Sequence, residues 1–302
     1  MQLEQSNTSG IAAAFSSYLI WGLLPLYWAL LSSISTFDIL MYRIAFAFVF
    51  ILLIIALSRE KTHYRHEMKW VFTNAQVFFK VALAAILISL NWFIFIFAVS
   101  GDKVLDASLG YYINPLLNVV LATFFLKEKL TKSEQIAVTS AVIGVSILIF
   151  LSGYIPWASF GMALSFCLYG FIKRSVPLSA TGGLLIETLL VMPFALIYLS
   201  FISTYSFFHF DLITMMLLFG AGIVTAIPLI LFSFGARRIS FSLIGFLQYI
   251  APTCMLILGI FVFHEPFTKA QFFAFFFIWI GLIIFTSSRL IGHRKQRRKI
   301  SA

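Results

Sequence analysis

The sequence predicts an all-α polytopic membrane protein whose ten transmembrane helices form two inverted five-helix repeats. Of its 302 residues, 61% are hydrophobic and 11% are charged, whereas soluble domains carry about 25% charged residues. The mean hydropathy is +1.01. Ten apolar segments give the number of helices, and a match between the two halves at one constant offset gives the repeat.

The apolar segments follow one another with polar turns between them. Each is about 17 to 25 residues long, which is the length that crosses ~30 Å of hydrocarbon as a helix. We number them as spans 1 to 10, at residues 10–31, 37–57, 77–99, 104–126, 133–152, 156–172, 181–202, 211–235, 239–263 and 269–288. Residues 1–10 contain no Lys or Arg, so span 1 is expected to stay in the mature protein rather than act as a signal peptide.

The basic residues predict that both termini face the cytoplasm, because short cytoplasmic loops carry an excess of Lys and Arg. With the N-terminus inside, 18 of the 21 basic residues lie on the inner side, Lys103 and Lys269 lie outside, and Arg43 falls within span 2. The basic tail at 293–299 is expected to contact anionic lipid. Topology therefore accounts for the net charge of +10, and no nucleic-acid partner is expected.

The two halves of the chain match without a gap at one constant offset, the interval from Tyr112 to Tyr249. The other matched pairs include Pro115 and Pro252, Phe124 and Phe261, Glu128 and Glu265, Thr131 and Thr268, Lys132 and Lys269, and Gly144 and Gly281. Five spans separate equivalent positions, and an odd number gives the halves opposite orientations across the bilayer. Inverted repeats of this kind place the substrate site of many secondary transporters near the midplane. We therefore predict repeats at 1–152 and 153–302, the second with the basic tail; the alternative is a chance likeness between apolar helices.

Several longer motifs resemble the RarD branch of the drug/metabolite transporter superfamily, with its two EamA-type domains. They are Trp21-Gly22 with Pro25, Asn91-Trp92, the segment 106–116 (DASLGYYINPL), 185–188 (LIET) and 245–253 (GFLQYIAPT). The resemblance covers nearly the whole chain. It implies a fold in which spans 1–4 and 6–9 surround a central cavity, with spans 5 and 10 outside, and it implies export of amino acids or other metabolites. Asp106 departs from the family's Glu but keeps the charge on a shorter arm.

Two prolines mark the predicted cavity. Pro115 and Pro252 lie near the centres of spans 4 and 9, where each removes a backbone donor and frees the carbonyl four residues earlier. Groups freed in a membrane need protein, water or ligand as partners, although a packing kink is the simpler alternative. The predicted substrate-cavity residues are the polar and aromatic residues near these prolines and in the motifs: Tyr18, Trp21, Arg43, Asn91, Trp92, Tyr111, Tyr112, Asn114, Tyr169, Glu187, Gln248 and Tyr249.

Arg43 and Glu187 are charges inside spans 2 and 7, where charges are costly and usually face a cavity or a partner. Each lies about six residues from the start of its span, but the spans start on opposite sides, so roughly 12 Å separates their levels. We therefore predict two gating pairs, Arg43 with Asp106 outside and Glu187 with Arg238 or Arg237 inside. The alternatives are purely structural ties and, for Glu187, proton coupling, because burial raises a carboxyl pKa.

The remaining motifs indicate local structure. Thr131 with Glu134, and Thr268 with Gln271, have the spacing of capping boxes that start helices. His63 and His66 share a basic loop with two glutamates, and a solvated surface is expected there rather than a metal site. Cys167 and Cys254 lie in separate spans, which indicates neither a disulfide nor a metal site.

These observations predict a secondary transporter that moves a small amphiphilic or zwitterionic metabolite, amino-acid-like or drug-like, by alternating access. Export across the cytoplasmic membrane of a prokaryotic cell is the expected direction. The alternatives are a channel-like facilitator and, with less support, a membrane-embedded enzyme, for which no converging catalytic cluster is visible. We expect no cofactor and no ATP-driven step, a small-molecule substrate, contact with the bilayer, and a monomer or at most a weak dimer.

Overall fold

The computed structural model describes residues 8–127, 130–204, 207–236, 238–239, 243–244 and 247–300, without the side chains of 122, 124–126, 174, 236 and 289–300. The secondary structure in these ranges is helical, with no strand. The helices are α1 (Thr8–Ala29), α2 (Thr36–Leu57), α3 (Lys61–Thr73), α4 (Ala75–Ser100), α5 (Val104–Leu126), α6 (Lys132–Ser152), α7 (Trp157–Arg174), α8 (Ala180–Phe201), α9 (Leu212–Ala236), α10 (Ile250–Phe261) and α11 (Lys269–Ile300). A 3-10 turn, Phe207–His209, precedes α9.

Eight of the described helices are long and apolar enough to cross a membrane, and they correspond to spans 1 to 5, 7, 8 and 10. Span 6 corresponds to α7, whose 18 residues include Lys173 and Arg174 at the C-terminal end. Span 9 corresponds to α10, a helix of 12 residues, and the residues before it are described only in part. The multi-pass helical class is therefore confirmed, while the count of ten spans stays a prediction.

Residues 61–73 form a helix that we did not predict, since we expected a solvated loop there. In α3, Glu67 and Val71 are buried while most of the helix is exposed. Residues four apart lie on one helix face, so these two anchor α3 to the bundle. Six of the 13 residues are charged or His, and this composition indicated a loop despite Met68, Trp70 and Phe72.

The two predicted capping boxes are confirmed. Thr131 N donates to Glu134 Oε2 at 2.9 Å while Glu134 N donates to Thr131 Oγ1 at 3.3 Å. Thr268 N and Gln271 Oε1 make the equivalent contact at 2.9 Å, and Gln271 N donates back to Thr268 Oγ1 at 3.2 Å. These boxes start α6 and α11, which form the most extensive helix pair in the described bundle.

The helix contacts are matched between the two halves. α1 packs on α9 as α7 packs on α4, α1 packs on α10 as α7 packs on α5, and α2 packs on α9 as α8 packs on α4. The backbone is matched as well: Lys127 after α5 and His264 after α10, which occupy equivalent positions in the two halves, have left-handed φ angles of 55° and 52°. The packing therefore has the internal correspondence that the sequence offset indicates.

The two prolines differ in their position relative to the ends of the described helices. Pro115 lies inside α5, as predicted, but Pro252 lies in the first turn of α10, whose N-cap is Tyr249. A helix has no partner for the N–H groups of its first turn, so proline is tolerated there without a kink. Leu247 is helical and Gln248 and Tyr249 form a turn before α10, so span 9 is interrupted just before Pro252, and the bend at this proline stays a prediction.

Candidate functional site

Arg43 is buried among aromatic side chains in α2, with 3% of its surface exposed. Its guanidinium carbon lies 4.2 Å from the ring centre of Trp92 and 4.9 Å from that of Trp28. Arg43 Nε donates to Thr225 Oγ1 at 2.8 Å, and that hydroxyl donates to the Ala221 carbonyl at 2.7 Å. Helices α1, α4 and α9 thereby hold the guanidinium in one orientation.

Two donors in this aromatic group are buried without a hydrogen-bond partner in the structure, Arg43 Nη1 and Trp28 Nε1. Trp28 is fully buried at the end of α1. A buried donor normally has a partner, because leaving one unmet costs about 1–3 kcal/mol. The site therefore has hydrogen-bonding capacity that the described side chains do not use.

Glu187 is the second buried charge, with 2% of its surface exposed in α8. Lys173 Nζ forms an ion pair with Glu187 Oε1, and the Tyr169 hydroxyl donates to Oε2 at 3.2 Å. Tyr169 and Lys173 are four residues apart on α7, so they share one helix face and reach the same carboxylate. The Lys173 side chain keeps 26% of its surface exposed, so the ion pair extends from the buried carboxylate to the edge of the bundle.

A narrow void lies between α2, α4 and α8, and of the two buried charged groups Glu187 lines it. Its walls include Trp92, which stacks on Arg43, as well as Glu187 and Thr188. The space between the lining atoms totals about 180 Å³, yet no point in it is wide enough to seat a water molecule. The described conformation is closed here, and a solute would enter only if the helices separate.

Among the described residues, neither Arg43 with Asp106 nor Glu187 with Arg238 forms an ion pair. Asp106 accepts a hydrogen bond from the Tyr154 hydroxyl at 3.2 Å, while Arg43 turns toward α9 and the indole rings. Arg238 Nη1 donates to the Phe234 carbonyl at 2.9 Å, and the Arg238 guanidinium carbon lies 3.5 Å from the centre of the Phe234 ring. Arg237, the other candidate, lies outside the described residues. Glu187 pairs with Lys173 instead, because α7 presents Lys173 one helical turn after Tyr169.

Three predicted cavity residues make contacts between helices. Asn91 Nδ2 donates to the Met162 carbonyl at 2.9 Å, which joins α4 to α7. Asn114 Oδ1 lies 3.3 Å from the Cys167 thiol, which joins α5 to α7. The hydroxyl oxygens of Tyr112 and Thr253 lie 2.6 Å apart, which joins α5 to α10. Asn91, Asn114 and Tyr112 therefore contribute to helix packing in this conformation.

The other predicted cavity residues form separate aromatic groups. Tyr18 and Trp21 on α1 have ring centroids 5.5 Å apart, and each lies 5.8 Å from the ring centroid of Phe232. Tyr111 packs edge-on against Phe95, with centroids 6.1 Å apart, within the cluster that contains Trp28 and Trp92. Gln248 and Tyr249 are half-buried in the turn before α10, and Tyr249 stacks on Tyr112 with centroids 6.3 Å apart.

Two further carboxylates cap helices, and sequence reasoning did not assign them this role. Glu67 of α3 accepts from Ser179 N at 2.5 Å and from Ser179 Oγ at 2.8 Å at the start of α8. Glu265 accepts from Val104 N and Leu105 N at 2.5 and 2.9 Å at the start of α5. Carboxylates are stabilised at helix N-termini, so both residues position spans that carry candidate site residues.

The polar groups around the start of α5 have perturbed acidities. Burial, more than the nearby carboxylate of Asp106, raises the pKa of Glu265. Partial burial, and then the neighbouring Asp106, raise the pKa of Tyr154 to about 12. Tyr154 is therefore a neutral donor at physiological pH. Across the part of the chain that the structure describes, no three His, Cys, Asp or Glu side chains are grouped to hold a metal ion.

Comparison with known proteins gives concordant matches. Residues 8–150 match the model of the EamA-like transporter family. The chain is 43% identical over 294 residues to "Uncharacterized transporter YojE" of Bacillus subtilis, covering 95% of this chain and 97% of that protein. It is 36% identical to "Protein RarD" of Escherichia coli K12, covering 99% and 100%. A solved structure titled "Crystal structure of protein" matches with a TM-score of 0.56 at 18% identity, covering 92% of this chain and 98% of that one.

Proposed function

The chain belongs to the RarD branch of the EamA-like transporter family, and we propose that it is a secondary transporter for a small amphiphilic or zwitterionic metabolite. Its membership makes it a membrane transporter. The proposal adds alternating access as the mechanism, an amino-acid-like or drug-like solute as the substrate, and export across the bacterial cytoplasmic membrane as the direction.

The observation that carries the proposal is a void lined by one buried charge, with the opposite charge packed behind one of its aromatic walls. Glu187 lines it directly, and Arg43 stacks on another of its walls, Trp92. A zwitterion has a carboxylate and an ammonium group, which these two charges complement, and the aromatic walls suit an apolar side chain. Because the void is closed in this conformation, access requires a change in helix packing, as alternating access would provide.

The internal correspondence supports the two repeats at 1–152 and 153–302 and the inverted arrangement. Equivalent helices make equivalent contacts, and exchanging two such halves is how inverted repeats open a central site to either side. The inner ion pair of Glu187 with Lys173 would close the cytoplasmic side, and the packing of Arg43 against Trp28 and Trp92 would close the outer side. One chain contains both sets of contacts, so the proposed functional unit is a monomer.

Two alternatives to uncoupled alternating access would give different transport kinetics. A channel-like facilitator would use the same helices but hold a continuous pore open. Proton coupling would use Glu187, because its two contacts with Tyr169 and Lys173 would change with its protonation. Both alternatives predict transport behaviour that flux measurements distinguish.

The test is counterflow in proteoliposomes with labelled amino acids and small metabolites. Wild-type protein is compared with Arg43→Gln and Glu187→Gln, and with the exposed controls Arg65→Gln and Glu60→Gln, which remove the same groups from the surface. We expect saturable exchange of one solute class, lost in the first two variants and kept in the controls. Rapid, non-saturating flux without exchange would show a channel, and no exchange of any solute would contradict the proposal.

A further inference from the structure

The aromatic group around Arg43 contains a cation without an anion. In the described part of the chain, the ion pairs join Lys173 to Glu187 and His63 to Glu67, and neither involves Arg43. Arg43 as a whole is 3% exposed, so the guanidinium has little contact with bulk solvent. Charges inside membrane proteins usually face a partner or a ligand, and here the described side chains supply neutral hydroxyls: Thr225 accepts from Arg43 Nε, and the Tyr111 phenol interacts electrostatically with the guanidinium.

The unused donors are close together and buried. Arg43 Nη1 and Trp28 Nε1 have no partner, and the guanidinium carbon is 4.9 Å from the Trp28 ring centre. Both groups donate hydrogen bonds and neither can accept one. Their preferred ligand is therefore an acceptor with a negative charge and more than one oxygen.

We propose that Arg43 and Trp28 form the subsite for the carboxylate of the transported solute, with Arg43 Nη1 and Trp28 Nε1 donating to its oxygens. This inference rests on the proposed transport function and deepens it by naming the group that a substrate must have. Arg43 Nε keeps its hydrogen bond to Thr225 Oγ1, and this bond fixes the orientation of the guanidinium group.

The surroundings distinguish a carboxylate from other anions. One guanidinium balances one negative charge, so a phosphate dianion would keep an uncompensated charge among Trp28, Trp92 and Tyr111. Chloride has one charge but no apolar body to contact the indole rings. An organic monocarboxylate fits both the single charge and the aromatic walls.

The test measures the thermal stability of the purified full chain in nanodiscs against matched compounds, because a ligand that binds only the folded state raises Tm. The probes are L-leucine, L-phenylalanine and benzoate, each with its carboxamide. We expect the acids to raise Tm at concentrations at least about tenfold lower than the amides do. This is the ratio of affinities that one charge-assisted hydrogen bond gives. If acid and amide act equally in the wild type, or no acid raises Tm up to 10 mM, the proposal is wrong.

Three variants assign the effect to the site. Arg43→Gln should abolish the preference for acids, and Arg43→Lys should keep it in weakened form. Trp28→Phe keeps an aromatic ring without the N–H, so it should reduce the Tm shift caused by acids but not the shift caused by amides. The exposed control Arg65→Gln should behave as wild type. A preference for acids that persists in Arg43→Gln would overturn the proposal.

A second readout separates a ligand role from a structural one. Without ligand, Arg43→Met removes an uncompensated buried charge, so its Tm should equal or exceed that of wild type; a fall of several degrees would assign Arg43 to structure and overturn the subsite. The counterflow experiment distinguishes the two proposals. Exchange without a preference for acids would contradict the carboxylate subsite but not the transport function. Acid-selective Tm shifts without exchange would contradict the transport function but not the subsite.

Discussion

The Ser140 hydroxyl of α6 donates a hydrogen bond of 2.7 Å to the Phe277 carbonyl of α11, and these residues lie 137 positions apart in the chain. This spacing equals the offset that relates the two halves of the sequence. A contact between equivalent positions is expected where the internal symmetry axis passes. The stacked rings of Tyr112 and Tyr249, which are also equivalent positions, have the same relationship, with an interplanar angle of 18°.

Two glycines form a reciprocal contact beside this hydrogen bond. A Cβ at Gly144 would lie 2.8 Å from the Ala274 carbonyl oxygen, and a Cβ at Gly281 would lie 2.7 Å from the Ala137 carbonyl oxygen. Ala274 and Gly281 are the second-half equivalents of Ala137 and Gly144 at the same offset. Each glycine lets the backbones of α6 and α11 approach closely, as small residues do between membrane helices.

We therefore predict that Gly144→Ala and Gly281→Ala destabilise the protein by similar amounts, about 1–3 kcal/mol each, because an added methyl group forces the helices apart. Thermal unfolding in detergent measures the effect. Gly170→Ala is the matched control, since a Cβ there meets nothing within 4 Å and alanine favours a helix. A large loss in only one of the two glycine variants would contradict the symmetric contact.

The sequence predicted features that depend on neighbouring residues. The start of α6 at Lys132 follows from Thr131 and Glu134 alone, and the position of α2 follows from 22 nearly continuous apolar residues. The offset between the halves also needed no tertiary information. These local and periodic signals fixed most helix positions to within a few residues.

The sequence could not predict contacts that depend on how helices rotate against each other. Lys173 was counted among cytoplasmic residues, and only the packing of α7 beside α8 shows that it reaches Glu187. The spacing of Tyr169 and Lys173 was the one available signal. Apolar composition also does not show that, within residues 239–263, a described helix begins at Ile250.

The topology prediction is tested by cysteine labelling in intact cells. In a background with Cys167→Ala and Cys254→Ala, a membrane-impermeant maleimide should label Lys103→Cys and Lys269→Cys, because the distribution of basic residues places these exposed positions outside. Lys61→Cys, equally exposed but on the predicted inner side, should react only after the cells are permeabilised. Rapid labelling of Lys61→Cys in intact cells would reject the orientation.

Glu265 should make stability depend on pH. Glu265→Ala leaves Val104 N and Leu105 N without their acceptor, which should cost about 0.5–2 kcal/mol, as for other helix caps. Since burial raises the Glu265 pKa, the folded state binds the proton more tightly than the unfolded chain does. The contribution of Glu265 to stability therefore increases as the pH falls through the folded-state pKa and decreases as the pH rises.

Unfolding of wild type and Glu265→Ala between pH 8 and pH 5 measures this effect, and the difference between them should widen toward pH 5. Gln271→Ala is the control, because it also removes a cap contact but has no titrating group. Its difference from wild type should stay constant over the same range. A constant difference for Glu265→Ala as well would show that its carboxyl does not titrate differently on folding.

The ion pair of Lys173 with Glu187 should show strong coupling. Lys173→Met leaves the 2% exposed carboxylate of Glu187 without a cation, and breaking a buried pair in this way costs about 3–5 kcal/mol. Glu187→Gln should cost less, because the Lys173 ammonium is 26% exposed and can turn toward water. The double variant should recover most of the stability that Lys173→Met loses.

A double-mutant cycle on unfolding free energies measures this coupling, and Arg238 provides the comparison. Arg238 contacts Phe234, so its effect should add to that of Glu187→Gln within about 0.5 kcal/mol. Counterflow by the stable double variant then separates the two roles of the pair. Restored stability without exchange would make the Glu187 carboxylate part of the transport cycle, whereas restored exchange would reduce the pair to a tie between α7 and α8.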